Sequence, residues 1–145
     1  MTAPFANAKV EAVYRAYPDA VRGALLDLRE LVFATERATP GAGPIAEALK
    51  WGQPSFVTVG GHGSTFRLGP ATEAGASHAL YFLCQTTLVG TFRELYGDVL
   101  EFSGNRAMLF RPGREFPREA VGHCMALAMT YRLKRSAFRH KSGDL

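Results

Sequence analysis

The chain is poor in the residues and motifs that announce a chemistry. It has two cysteines, Cys84 and Cys124, and a single tryptophan, Trp51. Two cysteines are too few for a disulfide framework, and their spacing matches no zinc motif. Free thiols fit a reducing compartment, so the expected location is cytoplasmic. No run approaches the roughly 18 consecutive apolar residues of a membrane-spanning helix. Met1 to Lys9 lacks a basic stretch followed by an apolar core, so neither a secretory leader nor a membrane partner is expected. A glycine loop for phosphate, a metalloprotease helix and a nucleophile elbow are all missing. Nothing in the pattern therefore speaks for catalysis, and no cofactor is expected.

Charge of one sign is also scarce, outside one place. The net charge is +4, but Arg132, Lys134, Arg135, Arg139 and Lys141 crowd the C-terminal end against the lone Asp144. Removing these from the chain's 17 basic and 13 acidic residues leaves 12 of each, so the body is neutral. A basic tail from about residue 132, with Tyr131 and Phe138 nearby, invites contact with nucleic acid or an acidic surface. A solvated last helical turn with a frayed end is the plainer reading and is preferred.

What remains is enough for one domain. The 145 residues, 47% of them apolar, match one hydrophobic core and leave no room for a second. Helical spacing runs from about Ala6 to Ala16, and again from Pro18 to about Arg37. In the second segment Val21, Leu25, Leu28 and Val32 form the apolar stripe, with Arg22, Arg29, Glu30 and Glu36 expected to face water. Thr39 to Gly43 breaks the pattern, and Pro44 to about Leu49 reads as a short third helix.

Period-two alternation then takes over. Phe56–Val59 and Thr65–Leu68 flank a glycine-rich turn, and His78–Cys84 is the most apolar strand. Leu88 to Tyr96 returns to helical spacing, with Thr87 as cap and Gly97 as stop. Val99–Phe102 and Arg106–Phe110 pair across Ser103-Gly104-Asn105, and a last helix starts at Pro117. The expected fold is α+β with two layers: a curved, mostly antiparallel sheet of about five strands, helices packed on one face.

The most distinctive stretch is Glu47-Ala48-Leu49-Lys50-Trp51-Gly52-Gln53-Pro54-Ser55-Phe56. It resembles the lysine-tryptophan-glycine-x-proline signature of the YdhG-like family, a domain of unknown function. The order of the flanking elements extends the likeness from about Val10 to Tyr131. The family more often has an arginine just before the phenylalanine of the late strand, where this chain has Leu109. The resemblance implies a two-layer α+β domain, and for some members a frataxin-like iron-chaperone role. Structurally, the signature reads as a helix-to-strand corner: Gly52 supplies a positive φ, Pro54 blocks the helix, and Lys50 lies over Trp51.

Three functional readings follow. The leading one is a non-enzymatic binding protein for a small polar or anionic ligand, or for a protein partner. Its candidate residues are Lys50, Trp51, Gln53, Arg67, Cys84, Gln85, Arg93, Asn105 and Arg106, with arginines supplying fixed forks for an anion and Trp51 a wall. The second is the iron-chaperone role, for which Glu119 and His123, four apart on one helix, could share a face and grip an ion. It lacks an acidic ridge, because the acids of the first two helices are matched by basic residues, and no metal site is expected. The third is a thiol-dependent enzyme or redox sensor using Cys84, placed between a strand and a helix start. A homodimer is compatible with so small a domain.

Overall fold

A computed structural model describes residues 3–133; the basic segment beyond Leu133 lies outside the described residues. The elements run α1 (Ala8–Ala16), α2 (Asp19–Ala38), β1 (Ile45–Lys50), β2 (Gln53–Thr58), β3 (Phe66–Pro70), β4 (His78–Phe82), α3 (Leu88–Tyr96), β5 (Glu101–Ser103), β6 (Ala107–Phe110) and α4 (Arg118–Met129). All six strands join one open sheet in the order β1-β2-β3-β4-β6-β5, every neighbouring pair antiparallel. The expected α+β architecture is present, with one strand more than the alternation of residues indicated.

Local chemistry explains the helix boundaries. Asn7 caps α1, its Oδ1 accepting from the Lys9 amide at 2.9 Å and the Val10 amide at 3.3 Å. Arg22 on α2 donates back to the free carbonyls of Arg15 and Tyr17, closing the C-terminus of α1. Ahead of α3, Thr86 rather than Thr87 supplies the cap, its hydroxyl accepting from the Leu88 amide at 3.3 Å.

The extra strand is the main correction. Ile45–Lys50 is not a third helix but the edge strand β1, paired along its whole length with β2. Helical and strand readings compete over so short a segment of helix-forming residues, and tertiary pairing decides. Trp51-Gly52 is accordingly a two-residue hairpin loop and not a helix-to-strand corner. Trp51 has φ 56° and Gly52 has φ 72°, as a type I′ turn requires. Trp51 stands 90% exposed at the tip, so it walls no pocket.

The core lies between the sheet and the helices. Phe56, Phe66, Leu68, Leu80, Phe82, Met108 and Phe110 point from the strands toward Leu25, Leu28, Val32, Phe92, Val121, Met125 and Met129. A chain of ring contacts joins Phe33, Phe56, Phe66, Phe82, Phe92 and Phe102, with centroids 5.0–6.4 Å apart.

A second correction concerns Arg29, which does not face water. It is fully buried, four residues after Leu25 and three before Val32 on the inward stripe of α2. Its Nε lies 3.0 Å from both carboxylate oxygens of Glu47 on β1. Its terminal nitrogens donate to the carbonyls of Ala3 and Pro4, at 2.7 and 3.1 Å. The guanidinium also sits 3.8 Å from the centre of the Phe5 ring. Tyr14 completes the cluster, donating its hydroxyl to Glu47 Oε2 at 3.1 Å. Burial, followed by the Glu47 charge, holds the Tyr14 phenol protonated far above its ordinary range.

Two stability outcomes follow. Glu47→Ala leaves the buried guanidinium only its longer, 3.8 Å contact with the part-exposed Glu30, and denaturant unfolding should show a loss of about 3–5 kcal/mol. Trp51→Asn removes a large side chain from a left-handed position at the cost of almost no buried contact. The same assay should show a gain of about 1 kcal/mol.

Candidate functional site

The helices cover only one side of the sheet, and strand alternation sends a different set of residues to the other. Register aligns Ala48, Ser55, Arg67, Tyr81, Ala107 and Ser103 as one row across the six strands. On the strands, Gly69, Ala79 and Leu109 follow the same parity, so the neighbouring row is small over β3 and β4 and apolar at β6. Gly69 makes room for Gln53: a Cβ there would lie 2.5 Å from Gln53 Nε2. The carboxamide held over Gly69 accepts from Arg67 Nη1 at 3.1 Å.

Tyr81 is the centre of the arrangement. It is only 5% exposed, and its hydroxyl donates to the Pro70 carbonyl at 3.1 Å. The Arg67 guanidinium carbon lies 5.6 Å from the ring centre and that of Arg106 5.3 Å. Burial raises the Tyr81 pKa, and the Glu73 carboxylate raises it further; Arg106 and Arg67 act in the opposite direction. Among the described residues neither Arg67 nor Arg106 makes an ion pair. Neither guanidinium is ion-paired, Arg67 is positioned by Gln53 and Arg106 is exposed, so both keep donors for an anion, beside a Glu73 carboxylate whose Oε2 is buried without a hydrogen bond.

The nine residues singled out from the sequence divide accordingly. Gln53, Arg67 and Arg106 converge on Tyr81. Lys50 lies directly opposite Gln53 in the β1–β2 register and leaves the sheet on the same side. Asn105 precedes Arg106 in the exposed β5–β6 turn. Arg93 is drawn elsewhere, its Nη2 donating to the Gly104 carbonyl at 2.6 Å and its charge lying over Phe102. Cys84 and Gln85 are exposed in the turn after β4, and Trp51 stands at the hairpin tip. Tyr81, Ser55 and Gly69 were not singled out. Their signal was alternation itself, because Arg67/Gly69 and Ala79/Tyr81 occupy the parity opposite to Phe66/Leu68 and Leu80/Phe82.

Comparison with known proteins returns no matching family model, no matching curated protein and no matching solved structure. The likeness to the YdhG-like family therefore rests on the residues quoted above alone.

The metal candidates do not assemble. His123 Nδ1 lies 2.5 Å from the Tyr96 hydroxyl, and Glu119 joins no ligand cluster. Among the described residues no group of three or more His, Cys, Asp or Glu side chains is placed to hold an ion.

A cavity of about 420 Å³ lies apart from the sheet's open face, between α2 and the loop joining β6 to α4. His78, 5% exposed, forms part of its lining beside Ser77. Burial lowers the His78 pKa below its usual value, which favours the neutral ring.

The two thiols differ in environment. Cys84 is exposed, whereas Cys124 is buried in the core and its pKa is pushed up to about 12 by that burial. Native iodoacetamide labelling read by mass spectrometry should modify Cys84 and spare Cys124 until the protein unfolds. Equal labelling of both would contradict the placement of α4 against the sheet.

Proposed function

We propose that this protein is a non-enzymatic binding module that holds a small oxyanion-bearing ligand on the helix-free face of its sheet. The observation that carries the reading is the pair Arg67 and Arg106, flanking Tyr81 without a carboxylate partner among the described residues. The planar donors of Arg67 are fixed by Gln53, and a bound carboxylate or phosphoryl group would receive charge-assisted hydrogen bonds from both arginines. Lys50 adds a mobile point charge at the rim. A protein partner presenting an acidic side chain would use the same donors.

The thiol and metal readings have less behind them. No hydrogen bond joins Cys84 to a base among the described residues, and Glu119 with His123 supplies two ligand types where a site needs three or four.

The test is calorimetric titration with inorganic phosphate and with citrate at low salt. Saturable binding is expected, weakened about tenfold or more by Arg67→Ala or by Arg106→Ala, and weakened further as salt is raised. Circular dichroism controls for folding of each variant. Absence of saturable binding for both probes, or affinities indifferent to both substitutions, would overturn the reading.

A further inference from the structure

The cavity between α2 and the β6–α4 loop carries a separate assignment. Its volume of about 420 Å³ falls in the range of small-molecule pockets. The apolar part of its lining is Val21 and Ala24 from α2 and Phe116 from the loop. His78 stacks on Phe110 with centroids 5.1 Å apart and planes 9° from parallel, which fixes the ring. Its Nδ1 lies 2.5 Å from Ser77 Oγ. No hydrogen bond joins its Nε2 to another of the described residues. A buried imidazole with one nitrogen occupied and the other unmatched on a cavity wall is a polar contact in want of a ligand.

Charge at the same cavity is of both signs. Arg111 is engaged by Glu101 and by the Ala74 carbonyl, and Arg118 pairs with Asp27 at 3.0 Å. The remaining lining charges, the exposed Arg114 and Glu115, make no ion pair among the described residues, although the Arg114 charge also acts on Glu101. One cation and one anion outside any close ion pair, over an aromatic and aliphatic wall, complement a ligand that carries both charges on an apolar body. A dianion would meet Glu115 unfavourably, and an uncharged ligand would leave both rim groups unused.

We propose that the cavity binds an apolar zwitterion of the α-amino-acid class, its body against Phe116 and Val21, its charged end between Arg114 and Glu115, and a polar contact from His78. This site is independent of the sheet-face reading, so either can fail alone.

The experiment is an NMR titration of the His78 ring resonances with L-phenylalanine, run beside 3-phenylpropionate and phenethylamine, which keep the ring and one charge each. Phenylalanine is expected to shift the His78 signals saturably and to bind about tenfold tighter than either single-charge analogue. Arg114→Ala and Glu115→Gln should each erase most of that preference. Ala24→Trp fills the cavity and should abolish the shift. Because that change is severe, Ala24→Leu serves as a milder filling variant, with unfolding curves for both. An unshifted His78, an equally tight carboxylate or amine, or a preference that survives both rim substitutions would each overturn the proposal.

Discussion

One buried ion pair sets the frame on which both faces of the sheet depend. Arg29 on α2 and Glu47 on β1 meet with their side chains 1% and 8% exposed. Desolvating two charges is costly, and their attraction repays it only when the remaining donors are matched. Here they are: the guanidinium also donates to two N-terminal carbonyls, and the carboxylate also accepts from Tyr14. The pair does more to specify the structure than to stabilise it. Side chains alternate along a strand, so an inward Glu47 obliges Ala48 and Lys50 to face out, and a slip of one residue would strand the carboxylate on the open side. In this way a contact on the covered face fixes which residues reach the uncovered one.

The two faces have opposite compositions for that reason. Toward the helices the strands offer large rings and aliphatics, which fill space by edge and stacked contacts. Away from the helices the same strands offer alanine, glycine and serine, the buried Tyr81 and Leu109, and Arg67, with Arg106 just before β6. A face free of helices exposes no long apolar strip, because Ala71 and Ala76 of the β3–β4 loop pack over Ala79, Tyr81, Ala107 and Leu109. What stays accessible is charged and donor-rich. That is a surface suited to polar recognition and poorly suited to a greasy interface.

Much of this was legible from residues alone. The first two helices, the β2–β3 and β5–β6 pairings and the α4 stripe followed from periods of 3.6 and two, and Gln53, Arg67 and Arg106 stood among nine candidates, of which Trp51, Cys84, Gln85 and Arg93 lie elsewhere. Three features were not. Ile45 to Lys50 carries good helix formers, and nothing local reveals that its partner strand will claim it. Arg29 looked solvent-facing because arginine usually is, although its place between Leu25 and Val32 set it squarely on the inward stripe. The His78 cavity arises from three elements far apart in the chain, α2, the start of β4 and the loop before α4, so no window of sequence contains it. Tertiary partners, and not propensity, decided each of these.

The central claim is that Arg67 and Arg106 keep their guanidiniums available on the open face. The most direct measurement is an NMR spectrum of the arginine Nε–H groups recorded as inorganic phosphate is added. Selective, saturable movement of the Arg67 and Arg106 signals, with Arg29 unmoved inside the core, is the outcome this account predicts. Movement confined to other arginines, or none at all, would contradict it.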